Sequence, residues 1–176
     1  IGHVGYVLIA LVAASDQGIR SASIYMFIYL IMNISVFAIL LSLKKSDKYL
    51  EKIDELSGLS KTNPVVSVSL AIILLSMAGI PPFIGFFGKF YVFIAAVESQ
   101  QYILAILGVL ASVISAFYYL RIIKGMYFDE AIEGENFDFI INNQAKVILS
   151  ILIFIITFFI LYPSLLTGVV SDISLI

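Results

Sequence analysis

The stretch that decides the fold runs from Met77 to Phe93 and reads MAGIPPFIGFFGKFYVF. It lies within an apolar segment, 64–98, which as one straight helix would be about 52 Å long, whereas a bilayer core is roughly 30 Å thick. Proline lacks a backbone donor and glycine has a low helix propensity, so both interrupt helices. The sequence therefore predicts either two short spans that form a hairpin or one crossing made from a broken helix. The interrupting residues are Gly79, Pro81, Pro82, Gly85 and Gly88.

The composition is that of a membrane protein. Of 176 residues, 61% are hydrophobic and 12% are charged, and the mean hydropathy is +1.09. Soluble domains carry about 25% charged residues, so an ordinary cytosolic enzyme and a disordered protein are excluded. The net charge of −2 provides no basic surface for nucleic acid. With no cysteine and one histidine, the chain is predicted to hold no disulfide, iron–sulfur cluster, metal or other cofactor of its own.

Four further segments are apolar. Residues 22–43, 102–123 and 147–166 each reach the roughly 20 residues that a spanning helix needs. Residues 2–14 would span only about 20 Å, and they lack the basic region and cleavage site of a signal peptide. We interpret them as the second half of a helix, and the chain as a C-terminal fragment. The predicted fold is an all-α, polytopic transmembrane helix bundle.

The lysines and arginines decide between the hairpin and the broken helix, because cytoplasmic loops carry the excess of basic residues. Loops 44–63 and 121–146 hold eight of them, and loop 15–21 holds only Arg20. A single crossing of 64–98 places both basic loops on one side, eight against one, whereas a hairpin weakens the bias to six against three. We therefore predict one partial and four complete crossings, including a discontinuous helix. Both basic loops are then cytoplasmic, and the C-terminus is outside.

Three local features lie in or beside these loops. Leucine and isoleucine among charged residues predict a short helix on the membrane surface from Ser46 to Leu56, or equally a solvated loop. Asn63 followed by Pro64 predicts a helix N-cap with proline at the first helical position. Acidic residues recur after residue 128 without a metal-ligand spacing, and are most simply a solvated loop: Asp129, Glu130, Glu133, Glu135 and Asp138.

Lys89 is the one charged residue that lies neither in a loop nor at the end of a span. A charge at the membrane centre costs at least about 2.5–3.5 kcal/mol, and a buried lysine releases its proton more readily. Freed backbone groups at a broken helix can also hold water. We predict that Lys89 is a proton-loading site. The alternatives are a lysine whose amine reaches the outer surface of the membrane, and a buried salt bridge without a transport role.

Polar residues in the spans are candidates for the rest of a proton path. His3 is either a proton relay, because imidazole titrates near neutral pH, or a hydrogen-bonded packing residue. Asn33 continues an i, i+4 series with Tyr25 and Tyr29. The other candidates precede the break or share one face of a later span, where small residues also favour close helix packing: Ser76, Ser112, Ser115 and Tyr119.

Several motifs together resemble those of a known family. They are Ile1-Gly-His-Val-Gly-Tyr6, Leu56-Ser-Gly-Leu-Ser-Lys-Thr-Asn-Pro64, Met77–Phe93 and Tyr118-Tyr-Leu-Arg-Ile-Ile-Lys124. Over residues 1–128 the chain resembles the antiporter-like membrane subunits of proton-pumping NADH:quinone oxidoreductase, respiratory complex I. The family has three such subunits, and the version Gly88-Lys-Phe-Tyr91 is similar to one of them in particular. Beyond residue 128 only a terminal apolar span matches.

The resemblance implies a fold of fourteen transmembrane helices with two inverted five-helix repeats. Residues 1–128 would be most of the second repeat, incomplete at its N-terminus, and residues 129–176 a cytoplasmic loop and the C-terminal transmembrane helix. Lys89 would be the proton-path lysine of the broken twelfth helix. His3 would lie at the start of the tenth helix, between Lys89 and a central lysine.

The implied function is that of a proton-translocating subunit of an NADH:quinone reductase, a translocase with no redox or hydrolytic site in this chain. NADH, FMN, iron–sulfur clusters and quinone are expected in partner subunits. The expected partners are other membrane and peripheral subunits of complex I, the lipid bilayer and protons, with no nucleic acid. A bacterial inner membrane is favoured over a mitochondrial one. The alternatives are a subunit of a multi-component sodium/proton antiporter or membrane-bound hydrogenase of the same fold, and a purely structural membrane subunit.

Overall fold

A computed structural model describes residues 2–45, 48–130 and 137–161. In chain order the elements are α1 (Gly2–Val12), α2 (Asp16–Ser42), β1 (Leu43–Lys45), β2 (Lys48–Tyr49), a 3-10 helix (Ile53–Leu56), α3 (Leu59–Thr62), α4 (Pro64–Ala78), α5 (Ile84–Glu98), α6 (Tyr102–Phe128), β3 (Phe137–Phe139) and α7 (Asn143–Phe158), which continues as a 3-10 helix (Phe159–Leu161). The predicted helical bundle is confirmed, with a small three-stranded sheet at one end. The predicted spans correspond to α2, α6 and α7, although residues 162–166 of the last one lie outside the described residues.

The two basic loops lie at the same end of the bundle. β1, which follows α2, pairs in antiparallel fashion with β3, which follows α6, so that Leu43 lies opposite Phe139. The side-chain amide of Asn63 donates to the carbonyl oxygen of Phe137 at 2.7 Å, which places the start of α4 at this end too. The segment from α4 to α5 must therefore cross the bundle once, because a hairpin would leave the loop after α6 at the opposite end. The prediction of one broken helix is confirmed.

The outside of the bundle is apolar. α2 and α6 are each 27 residues long, with mean hydropathies of 2.4 and 2.3 over their most apolar windows, and both are long enough to cross a membrane. Little of α6 is buried within the chain, and Ile103, Val113 and Phe117 are all exposed. A core helix of a soluble protein would bury such side chains in its own fold. The exposed face of α6 therefore suits contact with lipid or with neighbouring apolar helices.

Two clusters of buried side chains hold the helices together. The larger joins α2, α4, the end of α6 and α7, and includes Ile28, Ile73, Met126 and Ile156. The smaller joins α1, α2 and α5, and its buried members are Tyr6, Ala10, Ala22, Tyr25 and Val92. The smaller cluster thus places two tyrosines next to the second half of the broken helix.

The predicted surface helix from Ser46 to Leu56 is wrong. Residues 46 and 47 lie outside the described part, the next two pair with β1 as strand β2, and only Ile53–Leu56 is helical, as one 3-10 turn. The Glu55 carboxylate accepts hydrogen bonds from the backbone amides of Glu51 and Lys52, at 2.7 and 3.0 Å, and these fold the chain into a turn. The same hydrogen bonds, that from Lys52 first, lower the pKa of the Glu55 carboxyl.

The start of α4 is as predicted, with one difference. Asn63 precedes the helix and Pro64 is its first residue. The Asn63 side chain does not cap the helix, because its amide is directed across the loops to Phe137. Asn142 caps α7 in the expected way, since its side-chain oxygen accepts from the Ala145 amide at 2.7 Å.

The acidic residues after α6 are dispersed. Asp129 and Glu130 follow the last residue of α6 and Asp138 lies in β3, whereas Glu133 and Glu135 lie outside the described residues. Among the residues that the structure describes, no three carboxylates or histidines are grouped so that they could hold a metal ion.

Candidate functional site

The candidate site is the break between α4 and α5. α4 is followed by Gly79 in the left-handed conformation, with φ of 84° and ψ of 35°, which glycine adopts far more readily than other residues. A cis peptide bond joins Pro81 to Pro82, and α5 begins at Ile84. Because the chain leaves the helix here, the carbonyl oxygen of Ala78 has no helical amide partner and is available to a side chain.

Ser76 bridges the break. Its hydroxyl oxygen accepts a hydrogen bond from the Gly85 amide at 3.0 Å, and the hydroxyl donates towards the Met32 sulfur at 3.2 Å. A Cβ atom on Gly85 would overlap the carbonyl oxygen of Ser76, so the first turn of α5 lies directly against the last turn of α4. Ser76 is predicted to line a proton path, and in the structure its hydroxyl joins the two half-helices.

Lys89 is buried beside the break, with 4% of its surface exposed. Its Nζ atom donates to the Ala78 carbonyl oxygen at 3.0 Å and to the Ser112 hydroxyl at 2.8 Å. The same atom lies 5.0 Å from the centre of the Tyr6 ring, a distance typical of a cation–π contact. In the described ranges no carboxylate forms an ion pair with Lys89. All three of its partners are therefore neutral groups.

His3 is held through both nitrogens of its ring. Nδ1 is 2.8 Å from the Tyr25 hydroxyl, and Nε2 is 2.9 Å from the Tyr119 hydroxyl. The Tyr29 ring stacks on the imidazole, with the ring centres 4.7 Å apart. Tyr25 is fully buried, whereas Tyr119 is only partly buried. These contacts join α1 to both α2 and α6.

Tyr6 separates the lysine from the histidine. Its ring makes edge contacts with the rings of His3 and Tyr25, with centres 6.2 and 5.6 Å apart, and it also contacts the amine of Lys89. Tyr6 lies three residues after His3, so both side chains are on one face of α1. Tyr6 therefore contacts both the lysine and the histidine.

A partly open cavity lies between α1 and α6. Its volume is about 480 Å³, and its lining is mostly apolar but includes the polar residues His3, Ser115 and Tyr119. A water molecule takes up about 30 Å³ of liquid, so the cavity has room for several. Ser115 donates to the Ser112 carbonyl oxygen at 2.8 Å, and Ser112 in turn holds Lys89. One face of α6 therefore reaches both the lysine and the histidine.

Most of the predicted site residues lie in two adjoining groups. Six form the break itself: Ser76, Gly79, Pro81, Pro82, Gly85 and Gly88. Five lie beside the break or line the cavity: His3, Lys89, Ser112, Ser115 and Tyr119. Asn33 is half-buried on α2, and its side chain makes no hydrogen bond within the described part of the chain. Tyr6 and Tyr25 are not among the predicted site residues. Helical spacing could have found Tyr6, which is three residues from His3. The same spacing relates Tyr25 to Tyr29 and Asn33, but it does not show that Tyr25 contacts His3.

The chain is similar to known transmembrane proteins. The transmembrane family described as NADH:quinone oxidoreductase/Mrp antiporter matches residues 1–115. The NADH-quinone oxidoreductase subunit N of Pelagibacter ubique (strain HTCC1062) is 50% identical over 176 residues, which are 100% of this chain and 37% of that protein. NADH-ubiquinone oxidoreductase chain 2 of Marchantia polymorpha is 45% identical over 176 residues, 99% of this chain and 35% of that protein. The chain thus spans little more than a third of the length of these relatives.

Two solved structures have the same fold. A chain of respiratory complex I from Thermus thermophilus matches 93% of this chain and 36% of its own length, with a TM-score of 0.77 and 23% identity. A chain of the Mrp complex from Dietzia sp. DQ12-45-1b matches 74% of this chain and 24% of its own length, with a TM-score of 0.64 and 28% identity. The bacterial relatives are named subunit N, which confirms the resemblance to one particular subunit of the three. The chain belongs to the NADH:quinone oxidoreductase/Mrp antiporter family of transmembrane proteins.

Proposed function

We propose that this chain forms part of the proton path of an antiporter-like membrane subunit, subunit N, in a proton-pumping NADH:quinone oxidoreductase. The observation that carries the proposal is Lys89, a buried amine at the break of a membrane helix, held by one freed carbonyl and one hydroxyl. NADH, FMN, iron–sulfur clusters and quinone belong to partner subunits, where electron transfer occurs. The partners are the other membrane and peripheral subunits of the complex, lipid and protons.

Lys89 is suited to alternate between ammonium and amine. Neutral oxygen atoms compensate a buried ammonium only in part, so its free energy depends strongly on charges that approach or leave. Electron transfer elsewhere in the complex would change those charges and drive the amine to take up or release a proton. The Ser112 hydroxyl accepts from an ammonium and can donate to an amine, so it serves both states.

His3 is the second relay position in the proposal. Its imidazole and the Tyr119 hydroxyl face the cavity that Ser115 also lines. Water in that cavity would connect the imidazole to the serines of α6 and so to Lys89. The route passes around the Tyr6 ring rather than through it.

The same proposal assigns the repeats and the orientation. Residues 1–128 are most of the second antiporter-like repeat, and residues 129–176 are a loop and the C-terminal transmembrane helix. The end of the bundle that carries the sheet faces the cytoplasm, because the loops at this end hold eight of the ten lysines and arginines. The C-terminus is then on the outer side. Similarity to bacterial proteins supports a bacterial inner membrane.

A subunit of a multi-component sodium/proton antiporter is the second candidate function. It is favoured by the likeness to the Mrp complex from Dietzia, which is 28% identical over the matched part. Neighbouring genes distinguish the two, since NADH-binding and iron–sulfur subunits accompany the first and small antiporter subunits the second. A purely structural subunit would need Lys89 in a fixed salt bridge, and the described residues supply no carboxylate for one.

The test is substitution of Lys89 in the complete complex. Lys89→Ala removes the amine, and Lys89→Arg keeps a charge that is not lost at working pH. Lys124→Ala, which changes an exposed lysine on α6, is the matched control. We expect both Lys89 variants to lose NADH-driven proton uptake into membrane vesicles, and the control to retain it. Pumping and NADH oxidation by Lys89→Ala at the rates of the control would refute the proposal, and full activity of Lys89→Arg would make the role structural.

A further inference from the structure

Tyr25 is a buried residue whose chemistry the proposed proton path does not use. None of its surface is exposed, and its ring belongs to the smaller buried cluster. Within the described residues its hydroxyl makes one hydrogen bond, to Nδ1 of His3 at 2.8 Å. A phenol has one proton to donate and an oxygen to accept with. A buried hydroxyl that has no acceptor for its proton bears the full desolvation free energy, because no hydrogen bond replaces the one it made to water.

This single partner determines the direction of the hydrogen bond. If Nδ1 of His3 carried the imidazole proton, it would donate to the Tyr25 oxygen, and the Tyr25 proton would be left without an acceptor. If Nδ1 is the bare nitrogen, Tyr25 donates to it and both groups are satisfied. The imidazole proton is then on Nε2, which donates to the Tyr119 hydroxyl at 2.9 Å. Tyr119 lines the cavity, where water can accept its own proton.

We infer that Tyr25 is a positioning residue that holds His3 in the tautomer with its proton on Nε2, directed at Tyr119 and the cavity. The inference rests on the proposed function, in which His3 relays protons. Without Tyr25 the imidazole would spend part of its time with the proton on the closed side of the ring, where no path continues. Tyr25 disfavours that state, so the neutral imidazole of His3 holds its proton on Nε2. From there the proton can pass to Tyr119 or to water in the cavity.

The same geometry accounts for Gly88, the residue before Lys89. A Cβ atom on Gly88 would lie 3.0 Å from Cδ2 of Tyr25 and 3.1 Å from Cδ1 of Ile28, which is closer than such atoms normally approach. The Tyr25 ring would have to shift by tenths of an ångström, and its hydroxyl would move with it. The absence of a side chain at residue 88 therefore allows Tyr25 to reach His3.

The test compares deletions of single hydroxyl groups in the complete membrane complex. Tyr25→Phe removes the bond to Nδ1, and Tyr119→Phe removes the acceptor of the Nε2 proton. Tyr118→Phe is the matched control, because Tyr118 is an exposed tyrosine of α6, and the hydrogen bonds to the imidazole come from Tyr25 and Tyr119. For each variant we would measure the amount of assembled complex, the kcat and quinone KM of NADH oxidation, the pumping rate, and the solvent deuterium isotope effect on turnover.

We expect Tyr25→Phe to lower kcat and pumping by about two- to tenfold, the range given by loss of one hydrogen bond, with an increased isotope effect and an unchanged quinone KM. Tyr119→Phe should be milder, because cavity water can replace its oxygen. Tyr118→Phe should behave as the unmodified complex does. Gly88→Ala should reproduce the Tyr25→Phe defect, and the double variant should be no slower than the slower single variant.

Two results would overturn the inference. One is a Tyr25→Phe complex whose kcat and isotope effect equal those of Tyr118→Phe while Lys89→Ala still abolishes pumping. If Lys89→Ala also pumps normally, the proposed function itself fails, so the two failures are distinguishable. The other is a Gly88→Ala complex with unchanged turnover, and this comparison decides the matter if Tyr25→Phe does not assemble.

Discussion

Ser112→Ala is a direct test of how Lys89 is held. The Ser112 hydroxyl lies 2.8 Å from Nζ, and the other hydrogen-bond acceptor is a backbone carbonyl, which mutation cannot remove. Without the hydroxyl, one proton of the ammonium is left without its acceptor in a buried site. A hydrogen bond to a charged group contributes about 1.5–3 kcal/mol. The population of the ammonium state of Lys89 therefore falls about 10- to 150-fold relative to that of the neutral amine.

Ser150→Ala is the matched control for this change. Ser150 is exposed on α7, and its hydroxyl donates to the Lys146 carbonyl of its own helix at 2.8 Å, away from Lys89. The assay is the rate of NADH-driven proton pumping in vesicles, divided by the amount of assembled complex. We expect Ser112→Ala to lose at least about tenfold in rate and Ser150→Ala to stay within about twofold of the unmodified complex. Equal pumping by the two variants would refute the assignment of Ser112 as a partner of Lys89.

Three further changes probe the break and the loops. Gly79→Ala places a side chain in the left-handed conformation at a cost of about 1–2 kcal/mol, with its Cβ 2.9 Å from Cδ of Lys89. Pumping per assembled complex should therefore fall, and an unchanged rate would contradict this. Asn63→Ala removes the bond to Phe137, worth about 0.5–1.5 kcal/mol, so mass spectrometry should show faster hydrogen exchange over residues 137–140. The pKa of Glu55 is lowered by hydrogen bonds from backbone amides, so its contribution to the turn is complete above the ordinary carboxyl pKa and is lost as pH falls through the lowered value. Glu55→Gln should therefore make this turn more open to limited proteolysis at neutral pH, and an unchanged cleavage rate would contradict the role of the carboxylate.

The broken helix could be predicted from the sequence because its causes are local or additive. Glycine and proline limit the backbone wherever they occur, so the interruption at Gly79 to Gly88 does not depend on distant residues. The choice of one crossing depends on a sum of charges over whole loops, which is insensitive to the packing of any single side chain. Lys89 is distinctive for the same reason, as the one charge within a span.

The partners of these residues could not be predicted, because they are distant in sequence. His3 and Tyr119 are 116 residues apart, and Lys89 and Ser112 are 23 residues apart on different helices. Helical spacing shows which residues share a face, but it does not show which faces meet. The choice among the possible roles of Lys89 and His3 depends on which helix faces are in contact.

The surface segment before α3 shows a different limit. Its apolar and charged residues are compatible with a surface helix, and the sequence leaves a loop equally open. In the structure the Glu55 carboxylate bonds to two backbone amides, and such side-chain bonds compete with helical ones. Strand pairing of the preceding residues with β1 removes the rest of the helix. Both effects depend on hydrogen-bond partners that the spacing of apolar residues does not reveal.

The contact between Ser76 and Gly85 has a mechanical consequence. Two half-helices that were joined by a slack linker would bend independently of each other. Here the backbones touch without room for a Cβ atom, and a hydroxyl ties one turn to the next. Close-packed contacts leave no free space to absorb a displacement, so a push on α5 should be passed on to α4. The break between α4 and α5 is then a rigid connection that still leaves the Ala78 carbonyl free to bind the Lys89 amine. The two half-helices should therefore move together, as one stiff membrane-spanning unit.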